Sequence, residues 1–181
     1  MLGKKKAALK IMLLGTGAVG KTSLINRYVK NRFADDYKIT LGADFLSHKV
    51  TIEDTQTGKP VEVNLQLWDI AGQSQFSSFR KFYFKGVHGS LLVYDLTRLE
   101  TLKALHKWSD DVLEISPDSV NVLIGNKSDL VNERQVTPKD IQKNSKKLQP
   151  VGFVETSAKT GDKVNEAFLA VIQGIIAKKQ G

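Results

Sequence analysis

The segment Gly15-Thr16-Gly17-Ala18-Val19-Gly20-Lys21-Thr22 constrains this chain more than any other feature. It matches G-x-x-x-x-G-K-[ST] in full, between the apolar run Ala8 to Leu14 and an amphipathic stretch from Lys21 to Asn31. A run that is apolar at nearly every position is expected of a strand buried on both faces. Leu24, Ile25 and Tyr28 then recur at helical spacing. In that strand–loop–helix setting the glycines let the backbone curl until successive N–H groups point inward at phosphate oxygens. The helix N-terminus adds the positive end of its dipole. Lys21 is expected to reach the β- and γ-phosphates and the Thr22 hydroxyl to face Mg²⁺. Gly15, Gly17, Ala18, Val19, Gly20 and Ser23 complete the expected phosphate cradle.

The rest of the chain alternates strand and helix signals. Leu46, His48, Val50 and Ile52 alternate, as do Val61, Val63, Leu65 and Leu67, and the turn formers of 54–60 between them predict an antiparallel hairpin. Ser90 to Tyr94, Val120 to Ile124 and Val151 to Val154 are short apolar runs of strand type. Leu102, Leu105, Trp108, Val112 and Ile115 fall at helical spacing, as do Val164, Phe168, Val171, Ile172 and Ile175. Thr137-Pro138-Lys139-Asp140 has the hydroxyl, proline and acid of a helix start. The expected fold is α/β: a three-layer P-loop NTPase arrangement with a mostly parallel six-stranded sheet, one antiparallel strand and helices on both faces. With no repeat or Pro/Gly-rich linker, residues 1–181 form one domain, with a motif-bearing core of 8–177 and short basic tails. Such sheets bind ligands beyond the carboxyl ends of their strands.

Two further loops follow predicted strands. In Trp68-Asp69-Ile70-Ala71-Gly72-Gln73, a carboxylate at a strand end suits Mg²⁺, and Gly72 lets a backbone N–H approach a γ-phosphate. Gln73 is a neutral side chain suited to orienting water. Asn126-Lys127-Ser128-Asp129 reads the base. Guanine presents N1–H and N2–H₂ as adjacent donors, which the Asp129 carboxylate accepts as a pair. Adenine lacks that amine and would leave the carboxylate unpaired. The stem of Lys127 is placed to lie over the base plane.

These motifs, in this order, resemble the Ras superfamily of small GTPases. The resemblance implies a Mg²⁺-dependent, GTP- and GDP-binding domain that hydrolyses GTP as a molecular switch. It also implies that Phe33 edges onto the base, that Tyr37 covers the phosphates, and that the Thr40 hydroxyl joins Mg²⁺ in the GTP state. Glu155-Thr156-Ser157-Ala158-Lys159 resembles the loop whose Ala158 N–H meets the guanine O6, with Ser157 and Lys159 beside it. The implied metal ligands are Thr22, Thr40 and Asp69, and the implied catalytic residues are Gln73, Lys21 and Thr40. Leu41-Gly42-Ala43-Asp44-Phe45, together with Trp68 and Tyr83, is similar to the Rab branch. There the aromatics Phe45, Trp68 and Tyr83 would form a partner surface, although by themselves they fit a core equally well. Effectors, exchange factors and GTPase-activating proteins are expected on 33–45 and 70–83. Ser74-Gln75 and Ile70 depart from the usual Rab residues, and the hairpin turn is longer than usual.

Composition narrows the setting. The chain has no cysteine, which excludes disulfides, thiolate zinc sites and thiol catalysis within it. The sequence ends Lys178-Lys179-Gln180-Gly181 with no cysteine to prenylate, so either the natural chain continues beyond it, or membranes are reached without a prenyl group, or not at all. It has neither a signal-peptide pattern nor an apolar run approaching membrane-spanning length, so a cytoplasmic protein is expected, with peripheral membrane association by other means left open. The formal net charge of +8 fits a solvated lysine surface. The absence of a basic segment interleaved with aromatics argues against nucleic acid. Nothing requires more than a monomer. His48, His88 and His106 lie on separate elements and read as structural. The motifs supply no arginine in cis, so slow intrinsic turnover is expected. Two alternatives are a guanine-nucleotide scaffold with negligible hydrolysis and a P-loop kinase. The latter lacks sequence for an acceptor-binding lid.

Overall fold

The computed structural model describes residues 7–33, 40, 42–53, 58–72 and 81–180. Its elements run β1 (Ala7–Leu14), α1 (Lys21–Lys30), β2 (Ala43–Glu53), β3 (Pro60–Ile70), β4 (Gly89–Asp95), α2 (Leu99–Ile115), β5 (Val120–Asn126), α3 (Pro138–Leu148), β6 (Gly152–Thr156) and α4 (Val164–Gln180). The strands form a six-stranded sheet in the order β2-β3-β1-β4-β5-β6. β2 pairs antiparallel with β3, and every other pairing is parallel. The expected architecture is the observed one.

Burial follows the hydrophobic pattern. Every residue of β4 and β5 is buried, as a central parallel strand covered on both faces requires. On the edge strand β2, Leu46, His48, Val50 and Ile52 turn inward while their neighbours are exposed. One core lies between the sheet and α1 and α4, where Val164, Phe168, Val171, Ile172 and Ile175 are buried. The other lies under α2 and α3, around Leu102, Leu105, Trp108, Val112 and Ile141. α3 opens with a capping box: the Asp140 N–H donates to the Thr137 side chain, and the Thr137 N–H donates to the Asp140 carboxylate.

β4 and β5 extend past their apolar runs to Asp95 and Asn126, because backbone pairing continues where hydrophobicity stops. The histidines sit in structural contacts, apart from the loops at the strand ends. His48 meets Tyr28 edge-on at 5.4 Å, His88 Nδ1 accepts from the Lys10 N–H at 2.9 Å, and His106 Nε2 lies 2.7 Å from Asn144 Oδ1.

The register fixes the site. β1 is flanked by β3 and β4, so the chain leaves it first to one side and then to the other, a topological switch point. Leu13 is level with Asp69, Asp95 with Asn126, and Asn126 with Thr156, so the polar ends of four strands share one edge with the glycine loop.

Candidate functional site

The glycine loop has the backbone shape that its sequence implies. Gly15 has φ 149° and Gly20, the cap of α1, has φ 101°, both in the region that side chains disfavour. A Cβ on Gly15 would overlap the Val93 carbonyl, and one on Gly20 would overlap the Asn126 amide nitrogen. Ala18 also takes a left-handed φ of 61°. Lys21 is buried, and its Nζ donates to the Gly15 and Thr16 carbonyls at 2.9 Å each. Val19 is fully buried, anchoring the loop to the core, and Ser23 lies in the first turn of α1. Gly72 packs directly on this loop, since a Cβ there would overlap the Thr16 carbonyl carbon and the Gly17 nitrogen.

Thr22 of α1, Asp69 of β3 and Thr40, which precedes β2, converge. The Thr22 hydroxyl donates to Asp69 Oδ2, the Thr40 hydroxyl donates to the same oxygen at 3.2 Å, and the two hydroxyl oxygens are 3.1 Å apart. Asp69 is 3% exposed, and its Oδ1 is buried with no hydrogen-bond partner among the described residues. Burial raises its pKa above the ordinary carboxylate value, against the Thr22 hydrogen bond and the Lys21 charge. A buried carboxylate with an orphaned oxygen beside two hydroxyls is a hard-oxygen donor set. It fits Mg²⁺, which takes a few protein ligands and completes its shell with water and phosphate.

The residues expected to read the base are joined to one another and to the glycine loop. Asn126 Nδ2 donates to the Val19 carbonyl at 2.9 Å, while its Oδ1 accepts from Thr156 Oγ1 and from the Ala158 N–H, each at 3.2 Å. Asn126 therefore spans three loops. Asp129 Oδ1 accepts from the Ser157 hydroxyl at 2.6 Å. Lys127 has a left-handed φ of 70°, and its Nζ pairs with Asp95 Oδ2 at 2.7 Å. Lys159 follows on the exposed surface, and Phe33 packs, partly buried, against the core over α1. Tyr37 and Gln73 lie outside the described residues.

The three aromatics form one row across the β2–β3 face. Phe45 and Trp68 are 5.0 Å apart between ring centroids, and Trp68 and Tyr83 are 5.7 Å apart. Phe45 is 48% exposed, whereas Trp68 and Tyr83 are partly buried against the core under α2 and α3.

Several supporting residues were not apparent from the motifs. Arg27 on α1 donates from Nε to the Ala158 carbonyl at 2.9 Å and from Nη2 to the Lys159 carbonyl at 2.5 Å, holding the loop after β6. Arg134 makes a bidentate pair with Glu155 at 2.8 and 2.5 Å. Asp95 accepts from Thr97, Arg98 and Lys127, and Arg98 also reaches the Gly17 carbonyl at 3.1 Å. The available signal was a charged residue, Asp95, closing an otherwise apolar strand.

Comparison with known proteins agrees with this geometry. The model of the Ras family matches residues 10–177. The chain is 39% identical over 181 residues to the Ras-related protein Rab7 of Drosophila melanogaster, covering 97% of this chain and 84% of that one. It is 36% identical over 186 residues to the Ypt/Rab-type GTPase Rab7 of Gibberella zeae, covering 99% of this chain and 88% of that one.

Proposed function

The chain belongs to the Ras family, and from that membership we propose that it is a Rab-like small GTPase, which binds GTP and GDP, hydrolyses GTP and acts as a switch of the membrane-trafficking type. The observation that carries the switch reading is the meeting of Thr22, Thr40 and Asp69. It joins the phosphate loop, the segment before β2 and the end of β3 at one point where a bound cation and a γ-phosphate would be sensed together.

In this reading, Thr22, Thr40 and Asp69 hold Mg²⁺, which supplies positive charge to the phosphates when bound. Lys21 moves from its loop carbonyls to phosphate oxygens, and the inward amides of 17–22 offset the charge that builds on the β–γ bridge. Water attacks the γ-phosphorus in line, oriented by Gln73 and by the Thr40 carbonyl. The bond to the β–γ bridging oxygen breaks, and GDP and phosphate leave. Loss of the γ-phosphate releases Thr40 and Gly72, and both segments relax. Asp129, with Asn126 and the 157–159 loop around it, selects guanine. Effectors and regulators dock on the Phe45–Trp68–Tyr83 row and its flanking segments. Membrane contact, where it occurs, is peripheral; among the described residues no helix is long and apolar enough to cross a bilayer.

The test is to extract nucleotide from the purified protein and follow release of phosphate from GTP and ATP with Mg²⁺. The expected result is copurified guanine nucleotide and GTP-selective turnover on the order of 10⁻⁴ to 10⁻³ s⁻¹, the range of this family's unassisted members. Gln73→Leu should slow that turnover. Intact bound GTP and an unchanged rate in the variant would replace the switch by a guanine-nucleotide scaffold.

A further inference from the structure

The carbonyls of Gly15, Thr16, Gly17 and Val19 are each held by a side-chain donor. Lys21 serves the first two and Asn126 the last, and both belong to recognised motifs. The donor on Gly17 is Arg98, in the turn between β4 and α2, which belongs to none.

A trans peptide points its C=O and N–H in opposite directions. A grip on the Gly17 carbonyl therefore fixes where the Ala18 N–H points. Ala18 is also the loop's non-glycine residue with a left-handed φ, 61°, a conformation that persists where the surroundings impose it. Arg98 is suited to imposing it. Its forked guanidinium donates from Nη2 to the Gly17 carbonyl and from Nε to Asp95 Oδ2, both at 3.1 Å. Asp95 is itself fixed: its side chain is 1% exposed, and Oδ1 accepts from the Thr97 N–H at 2.8 Å and the Thr97 hydroxyl at 2.6 Å. Its Oδ2 also takes the Lys127 ammonium at 2.7 Å. One buried carboxylate thus anchors both the arginine on the phosphate loop and the lysine of the base-reading loop.

We infer that Arg98 is a positioning residue for the phosphate grip, turning the Gly17–Ala18 peptide so that its N–H faces the bound phosphates, with Asp95 as its anchor. The inference rests on the guanine-nucleotide reading above and adds to it a determinant outside the motifs. Arg98 acts through the loop's backbone, and its place cannot be filled by charge alone, because a lysine ammonium lacks the planar fork that meets both acceptors.

The experiment compares GDP and GMP affinities of the full chain, by competition against a fluorescent GDP, for wild type, Arg98→Ala, Arg98→Lys and Arg98→Gln. GMP keeps the base and ribose but has one phosphate fewer. Losing a hydrogen bond from a charged donor predicts that Arg98→Ala weakens GDP on the order of tenfold. GMP should change by less than about twofold, so the GDP/GMP ratio falls. Arg98→Lys should stay close to the alanine value. Unchanged GDP affinity, or equal losses for GDP and GMP with a lowered Tm, would make Arg98 a general structural residue and overturn the inference. Full rescue by lysine would overturn it in favour of a simple charge effect. If Arg98→Ala does not fold, Arg98→Gln, which keeps a shorter stem and a neutral donor group, carries the same ratio test. A wild type that binds no GDP would instead refute the guanine-nucleotide reading itself.

Discussion

The Asp129 carboxylate and the Ser157 hydroxyl are joined by a 2.6 Å hydrogen bond that ties the loop after β5 to the loop after β6. The bond orients a carboxylate whose remaining lone pairs, in the proposed reading, would accept from the donors of a guanine. Asp129→Asn should weaken GTP by at least about tenfold, since a charged acceptor of two donors is lost. It should also improve xanthosine triphosphate, whose extra carbonyl the amide can serve. Competition binding with both nucleotides checks this, and an unchanged GTP affinity would remove Asp129 from base recognition. Ser157→Ala should move GTP affinity the same way by a smaller amount, about 1 kcal/mol.

The Thr40 hydroxyl reaches both Thr22 and Asp69 but comes from a segment with no part in the glycine loop. Thr40→Ala should therefore slow GTP hydrolysis while leaving GDP dissociation near wild type. Thr22→Ala should raise GDP release and blunt its acceleration by EDTA, because in the proposed reading Thr22 would hold the cation in both nucleotide states. Release rates with and without chelator separate the two. Equal effects of both substitutions on GDP release would contradict the division of roles.

Gly72→Ala tests the contact between the end of β3 and the phosphate loop. The added methyl would meet backbone atoms of Thr16 and Gly17, which cannot swing aside as a flexible side chain would. The variant should fold, hold GDP and fail to close on GTP, so hydrolysis drops while GDP affinity persists. A wild-type rate would mean that the two segments need not touch during turnover.

His88 gives a pH signature unrelated to the nucleotide. Burial, reinforced by the charges of Lys179 and Lys10, lowers its pKa below 6.5, and its Nδ1 accepts from the Lys10 N–H. The unfolded chain then binds more protons than the folded one between the folded pKa and 6.5, so stability rises with pH across that window. The Tm should fall as pH drops from about 7 towards 5, levelling once below the folded pKa. His88→Asn, whose amide oxygen accepts in place of Nδ1, should flatten that slope. The same slope in the variant would assign it to other groups.

Much of the fold was legible in the chain because its periodicities are unmixed. The buried runs of β4 and β5, the alternation of β2 and β3, and the Thr137–Asp140 cap each point to one local structure. Strand ends were less legible, because Asp95 and Asn126 are polar yet still paired in the sheet. The backbone of the glycine loop was readable at Gly15 and Gly20, since its turn takes φ values that few residues adopt.

The sequence by itself determined the glycine loop, the Asn126–Asp129 loop and the order in which they follow their strands, because each motif is a local arrangement spelled by neighbouring residues. The tertiary structure alone decided what holds them in place. Arg27 meets Ala158 across 131 residues, Arg98 meets Gly17 across 81, and Thr40 meets Asp69 across 29. Such pairings depend on strand order and register, which bring distant strand ends to one edge of the sheet. A lone arginine or aspartate in the chain carries no mark of the partner that the fold will bring to it.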